Sequence, residues 1–240
     1  MAIAMIIGQV FVPGAGTVYA ADNNDGGFTE IDISTQDELI ELAENCHIES
    51  WSYDKYVVLQ NDIYLTEGFE GIPIFSGLFD GNGHTISGYN CEGAGYVQGL
   101  FRYIGKTGIV QNLTVGSDII AAGDGYVTGI IAGVNDGIIK NCYAKGAVKG
   151  DTATGGIAGI NGTSGLITGC RNLAEVTGFY YTGGISGRNY GAIKSCSNYG
   201  CINSSPEWVS ENDERQVDII SEITGDVSII SYQTGVDIGG

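Results

Sequence analysis

Three segments of this chain repeat one hexapeptide core at a nearly constant interval, and that self-similarity restricts the possible folds more than any other feature. They are Thr128-Gly129-Ile130-Ile131-Ala132-Gly133, Thr154-Gly155-Gly156-Ile157-Ala158-Gly159 and Thr182-Gly183-Gly184-Ile185-Ser186-Gly187, 26 and 28 residues apart. Gly99-Leu100-Phe101-Arg102 is an earlier, looser copy. A period of this size marks an architecture in which each repeat stacks on the next, because a single repeat cannot bury its own apolar face.

Each core is followed by a second motif. Gly108-Ile109-Val110-Gln111-Asn112-Leu113 aligns with Gly137-Ile138-Ile139-Lys140-Asn141-Cys142, Gly165-Leu166-Ile167-Thr168-Gly169-Cys170 and Gly191-Ala192-Ile193-Lys194-Ser195-Cys196. Six residues further on, every copy has a β-branched residue: Ile119, Val148, Val176 and Ile202. Val110, Ile139, Ile167 and Ile193 make one apolar column, and Leu113, Cys142, Cys170 and Cys196 make another. The columns are three positions apart, so a straight strand would point them to opposite faces. A corner at the intervening Asn112, Asn141, Gly169 or Ser195 brings both inward, since Asn and Gly best tolerate a left-handed backbone. Ser195 fits that requirement least well. Coils of this length, turning such corners and hydrogen-bonding to the next coil at about 4.8 Å, describe a right-handed parallel β-helix. A propeller blade needs about 40–45 residues, and the leucine columns of a horseshoe repeat are absent.

The Gly-x-Ile-Ala-Gly cores, followed by Asn-Asp-Gly-Ile-Ile-Lys-Asn-Cys at 135–142, resemble GLUG-motif repeats. So does the lead-in from Gly77-Leu78-Phe79-Asp80-Gly81-Asn82-Gly83-His84 to Gly88. Residues 108–115 are also similar to the strand–corner–strand unit of pectate-lyase-like β-helices. The resemblance spans about residues 34–203 and implies the fold. It also implies a secreted or wall-attached bacterial protein, because GLUG repeats occur in such proteins, including zinc peptidases that cleave immunoglobulin A. In those the repeats lie outside the catalytic domain, so the resemblance implies no activity for this segment.

Outside the repeats the chain divides by composition. Residues 1–20 carry no charge and end in Val18-Tyr19-Ala20, which fits a secretory signal peptide with its basic start missing. A short buried helix or a membrane anchor is the alternative, although the stretch is short and rich in Gly and Pro for a span. Residues 21–33 read as a linker. Residues 34–55 read as a capping helix and its connection, with Ser34 or Thr35 as the cap and Leu39, Ile40, Ala43 and Cys46 on one face. It would cover the apolar end of the β-helix. The repeats occupy 56–203, with Tyr56–Leu59 and Ile63–Leu65 as the first strands. Residues 204–229 read as an inserted acidic loop, and 230–240 as the start of a further, truncated repeat.

The charge is −18 overall, distributed as −14 over residues 22–92, +3 over 93–203 and −7 over 204–240. Such an acidic chain excludes phosphate-mediated binding of nucleic acid, and adsorption to anionic membranes is disfavoured. No membrane insertion is expected once a signal peptide is removed. The partner is expected to be a surface glycan or protein, and the oligomeric state is not legible.

The candidate chemical groups are few, and no catalytic or metal site and no cofactor is expected. Cys142, Cys170 and Cys196 are a full coil apart, which suits buried free thiols better than a zinc site or disulfides. Cys46, Cys91 and Cys201 have no assignment. His47 and His84 are the two histidines. They form no His-Glu-x-x-His, and His84 in its Gly-rich turn reads as structural. Asp124 and Asp151 precede successive Thr-Gly cores and invite comparison with the paired carboxylates of glycosidases. Turns at Gly123-Asp124-Gly125 and Gly150-Asp151 explain them more simply. Arg102, Arg171, Arg188 and Arg215 share no phase with acids. Asp80-Gly81-Asn82-Gly83 reads as a turn, without the later ligands of an EF-hand. Phe179, Tyr180, Tyr181 and Tyr190 cluster around one repeat and are the candidate binding residues, since aromatic faces stack on sugars and proteins. These features point to a non-catalytic surface module for adhesion or ligand binding. The competing readings are the N-terminal part of a carbohydrate-active β-helix enzyme and an accessory region of a secreted zinc peptidase.

Overall fold

The first corner of each repeat is made by a residue in the left-handed region. Asn112, Asn141, Gly169 and Ser195 have φ of 53°, 52°, 64° and 50°, and Asn82 in the preceding coil has 51°. The corner rotates the chain so that the residues on either side both face inward. Val110, Leu113, Ile139, Cys142, Ile167 and Cys170 are wholly buried, and Ile193 and Cys196 are 1% and 2% exposed. At Gly169 the requirement for glycine is double, because a Cβ there would also lie 2.4 Å from Asn141 Oδ1.

The structure is a computed structural model that describes residues 27–66, 68–90, 95–120, 126–204 and 223–224. These form a parallel β-helix of four stacked sheets and one α-helix. Sheet 1 runs through Thr29–Ile33, Lys55–Leu59, Leu78–Asp80, Ile109–Gln111, Ile138–Lys140, Leu166–Thr168, Ala192–Lys194 and Ile223–Thr224. Sheet 2 follows the corner, with Ile63–Tyr64, Thr85–Tyr89, Thr114–Ile120 and Tyr143–Lys149. It continues as two short strands per coil, Arg171–Asn172 with Glu175–Gly178 and Ser197–Asn198 with Ile202–Ser204. Sheet 3 holds Val97–Gln98, Val127–Gly129, Ala153–Gly155 and Tyr181–Gly183. Sheet 4 holds Ile72–Phe75, Phe101–Ile104, Ala132–Asn135, Ala158–Asn161 and Ser186–Asn189.

All strand pairs among the described residues are parallel, and the motif stays in register from coil to coil. Ile109 pairs with Ile138, Ile138 with Leu166, and Leu166 with Ala192. The Thr-Gly cores make the corner between sheets 3 and 4. Thr128, Thr154 and Thr182 point inward, and so do Ile131, Ile157 and Ile185. The glycine between them is needed because the chain doubles back on itself: a Cβ on Gly155 would sit 2.0 Å from the carbonyl oxygen of Ala158. The interior is one continuous apolar cluster from Ile33 to Cys196. The lower coils fill it with Phe75, Phe79 and Phe101 in edge-on and tilted contact. The upper coils fill it with smaller Ile, Ala and Cys.

The helix, α1 (Gln36–Asn45), starts at a capping box. Thr35 Oγ1 accepts from the Glu38 amide at 3.3 Å, and Glu38 Oε2 accepts from the Thr35 and Ser34 amides at 3.0 and 2.7 Å. Its buried stripe is Leu39, Leu42, Ala43 and Cys46, whereas Ile40 is only partly buried. Leu42 thus takes the place expected for Ile40, because positions i, i+3, i+4 and i+7 share one face. The Cys46 carbonyl accepts from the Ile74 amide at 3.2 Å, joining the end of α1 to the first strand of sheet 4.

Two boundaries differ from the sequence reading. Residues 21–33, expected to be a linker, contain the first strand of sheet 1, in which Thr29 to Ile33 pair with Lys55 to Leu59. The alternation Glu30-Ile31-Asp32-Ile33 suits a strand, but it lies outside the repeat motif. The stretch 204–229, expected to be an inserted acidic loop, contains Ile223–Thr224, which pair with Ile193–Lys194 and continue sheet 1. The readings for 1–20 and 230–240 lie outside the described residues. Among the described residues no helix is long and apolar enough to cross a membrane.

Candidate functional site

Most candidate chemical groups are built into the scaffold. Each column cysteine directs its thiol at backbone carbonyls. Cys142 Sγ lies 3.2 Å from the Lys140 oxygen, Cys170 Sγ 3.4 Å from that of Thr168, and Cys196 Sγ 3.3 Å from that of Lys194. Cys170 Sγ also accepts from the Cys142 amide at 3.4 Å. Burial holds the Cys170 thiol well above its ordinary range, and hydrogen bonding to Cys170 followed by burial does the same for Cys196. Burial pushes Cys46 up to about 12. All four are free and buried, and Cys201 is free and exposed. The four buried thiols behave as small apolar side chains. Cys91 lies outside the described residues.

His84 Nδ1 is 3.1 Å from Asp62 Oδ1, which also accepts from the Thr85 amide at 2.9 Å. The Thr85 amide, then His84, lowers the Asp62 carboxyl. The pair links two adjacent coils, which fits the structural role expected for His84. His47 is exposed. Asp80 Oδ1 accepts from the Asn82 amide at 2.8 Å and from Asn112 Nδ2 at 3.1 Å, while Oδ2 accepts from Gln111 Nε2 at 2.8 Å. Its oxygens therefore organise the turn and its neighbouring coil. Asp151 is 7% exposed, with Oδ2 accepting from Thr152 Oγ1 at 3.1 Å. Asp124 and Arg215 lie outside the described residues, so the Asp124–Asp151 pairing is not placed. No group of three or more His, Cys, Asp or Glu among the described residues is arranged to hold a metal.

The exposed and partly exposed aromatic residues form a different kind of arrangement. Tyr96, Tyr126 and Tyr180 occupy equivalent positions just before successive strands of sheet 3, with Thr152 in the coil between. The backbone fixes this register: the Val127 amide donates to the Tyr96 carbonyl, Thr152 to Tyr126, and Tyr181 to Thr152. The rings of Tyr96 and Tyr126 lie 5.6 Å apart at 35°. Phe179 meets Tyr180 edge-on at 4.6 Å. Tyr96 is 71% exposed and Tyr180 38%. The result is an aromatic row along one edge of sheet 3.

A guanidinium stands at each end of this row. Arg102 Nε donates to the Val97 carbonyl at 3.1 Å, beside Tyr96. Arg188 lies over the Tyr181 ring at 3.6 Å from its centroid, and its buried Nε has no hydrogen-bond acceptor among the described residues. Arg171 instead lies over Tyr143 in sheet 2. Of the four aromatics read from the sequence, the structure brings Phe179, Tyr180 and Tyr181 to this edge. Tyr190, 56% exposed, sits at the far end of sheet 4, where its amide donates to the Asn161 carbonyl. Tyr96 and Tyr126 escaped the sequence reading. Their signal was present in Tyr96-Val97-Gln98-Gly99 and Tyr126-Val127-Thr128-Gly129, aligned on the core glycine.

The fold and its stacked register define a parallel β-helix repeat protein. No protein-family profile matches the chain. Halomucin from Haloquadratum walsbyi is 40% identical over 84 residues, which is 34% of this chain and 1% of Halomucin. The crystal structure of a candidate immunoglobulin A1 protease from Bacteroides ovatus superposes with a TM-score of 0.56 and 24% identity, covering 75% of this chain and 60% of that one. The likeness to the solved structure is one of fold. The chain spans only a small part of Halomucin and under two thirds of the Bacteroides protein.

Proposed function

We propose that this chain is a non-catalytic binding module of a secreted or cell-surface bacterial protein of the GLUG-repeat kind, and that the tyrosine row of sheet 3 is where it holds a glycan. The observation that carries the reading is the placement of Tyr96, Tyr126 and Tyr180 at one strand position on a stacked scaffold. Tyr96 and Tyr180 are exposed and Tyr126 partly so, and such rings in a row offer faces on which sugars pack, with phenol hydroxyls as hydrogen-bonding groups. Arg102 and Arg188 at its ends suit a chain bearing carboxylates or sulfates. The parallel strands beneath hold the rings at fixed separation, so little order has to be gained on binding. The repeat motifs, the Halomucin match and the likeness to the Bacteroides candidate protease all support a module that belongs to a larger extracellular protein.

The test is a panel of immobilised neutral and acidic polysaccharides. Binding to at least one is expected, weakened about tenfold or more by Tyr96→Ala with Tyr126→Ala, given roughly 0.5–1.5 kcal/mol for each aromatic contact. Binding unchanged in the double variant would move the site off this row. Depolymerisation of a bound polysaccharide, abolished by Asp151→Asn, would replace the reading with that of a carbohydrate-active enzyme.

A further inference from the structure

The outer face of sheet 1 belongs to a different part of the coil from the tyrosine row, and its two outward columns have unlike chemistry. Val57, Phe79, Val110, Ile139, Ile167 and Ile193 fill the inward positions of this sheet, so their neighbours on either side point out. One outward column is apolar through six successive coils: Tyr56, Leu78, Ile109, Ile138, Leu166 and Ala192, each partly exposed. A continuous apolar ridge on the outside of a solenoid has no role in the interior, and contiguous exposed apolar surface marks an interface. The ridge and its flanks span about 29 Å from the coil of Glu30 to that of Ala192, at about 4.8 Å for each coil.

The second column reads Asp32, Val58, Asp80, Gln111, Lys140, Thr168 and Lys194, and its charges are sorted by sign, with Val58 and Thr168 as uncharged steps. Asp32 and Asp80 lie in the lower coils, Gln111 in the middle, and Lys140 and Lys194 in the upper coils. Asp80 is one coil below Gln111 and Lys140 is one above it. Asp32 is three coils below and Lys194 three above. None of these four charges has an ion-pair partner among the described residues. The Asp80 hydrogen bonds come from neutral amides and leave its charge in place.

From this arrangement we infer that the outer face of sheet 1 binds a second copy of the same chain, with the two solenoids antiparallel about a two-fold axis through Ile109 and Gln111. Rotation about an axis parallel to the strands keeps each column facing its own counterpart and inverts the order of coils. Ile109 then meets Ile109, Leu78 meets Ile138, and Tyr56 meets Leu166. In the second column Asp80 faces Lys140 and Asp32 faces Lys194, each pair occurring twice by symmetry. The parallel alternative sets the lower acids of both copies at one level and the upper lysines at another. Like charges then face each other, in molecules that already carry −18 each. The sorted charges thus select one orientation, and the apolar ridge supplies the adhesion.

Sedimentation velocity on the full chain tests this. The protein is expected to form dimers in a concentration-dependent manner. Lys140→Glu, which places acid opposite Asp80 twice per dimer, should raise the dissociation constant at least tenfold, as should Ile109→Glu on the axis. The charge swap Asp80→Lys with Lys140→Glu should restore the dimer. Because Asp80 also organises its turn, the swap Asp32→Lys with Lys194→Glu provides a second restoration at two exposed positions, with circular dichroism reporting that each variant is folded. A wild-type protein that stays monomeric up to millimolar concentration overturns the proposal. A dimer insensitive to Lys140→Glu and Ile109→Glu does so as well, as does failure of both swaps to restore association in folded protein.

Discussion

The side-chain amide of Asn161 links two others 26 and 28 residues away: it accepts from Asn135 Nδ2 at 2.8 Å and donates to Asn189 Oδ1 at 2.7 Å. The three asparagines end successive strands of sheet 4, and Asn135 and Asn161 are wholly buried. A second, shorter ladder in sheet 2 joins Asn172 to Asn198 at 2.7 Å. Each ladder ties coil to coil through side chains in addition to the backbone, and fixes the register of the apolar columns beside it.

Asn161→Ala should therefore destabilise the chain well beyond the loss of one contact. It strands the donor of wholly buried Asn135, at about 1–3 kcal/mol for a buried group left unpaired, and the acceptor of partly buried Asn189 at a smaller cost. A fall of about 2–4 kcal/mol in chemical denaturation is expected. Asn203→Ala, whose side chain donates to Glu175 at an exposed position, should change stability little.

Ser195 is the one corner residue whose side chain is poorly suited to its backbone, with φ of 50°. Ser195→Gly should stabilise the fold by up to about 1 kcal/mol by relieving left-handed strain. Ser195→Val should destabilise it, because a β-branched residue resists that conformation. Equal denaturation midpoints for the three proteins would contradict the corner assignment.

Thr154 is buried, and its hydroxyl has no hydrogen-bond partner among the described residues. Thr154→Val keeps the shape and removes the orphan polar group. Stability should rise by about 1 kcal/mol, the lower end of the cost of such a group. A loss of stability in thermal denaturation would show that the hydroxyl is satisfied by bound water.

The buried thiols make stability depend on alkaline pH. Cys46 ionises at about 12 when folded and at an ordinary 9.0 when exposed. Above 9.0 the unfolded chain binds fewer protons than the folded one, so the stabilisation is complete below 9.0 and is lost as pH rises toward 12. Cys170 and Cys196 are shifted in the same direction and add to the slope. Cys46→Ala should flatten the decline measured by denaturation between these limits. In native protein a thiol reagent should label Cys201 and spare Cys46, Cys142, Cys170 and Cys196.

Much of this structure was legible because the repeat forces equivalent residues into equivalent places. The corner at Asn112 and Asn141 follows from the tolerance of asparagine for a left-handed backbone. The corner at Ser195 was readable only by alignment with them. The asparagine ladders were not read, since a lone Asn carries no sign of burial. Asn161 is buried only because Asn135 and Asn189 stack on either side. Tyr96 and Tyr126 were missed for a related reason: Thr152 interrupts their column, so their alignment with Tyr180 emerges only once the strands are paired. Asp32 and Lys194 belong to one surface although 162 positions separate them in the chain, which no local pattern reveals.

The in-register stack is tested most directly by distances between spin labels placed along one outward column of sheet 2. Thr85, Thr114, Tyr143, Arg171 and Ser197 lie directly above one another in successive coils. With Cys91 and Cys201 replaced by serine, labels at 85 and 197 should lie about 19 Å apart, four coils at about 4.8 Å each. Labels at 114 and 197 should lie closer by one such step. Separations that fail to grow by one coil step for each repeat would contradict the β-helix and everything built on it.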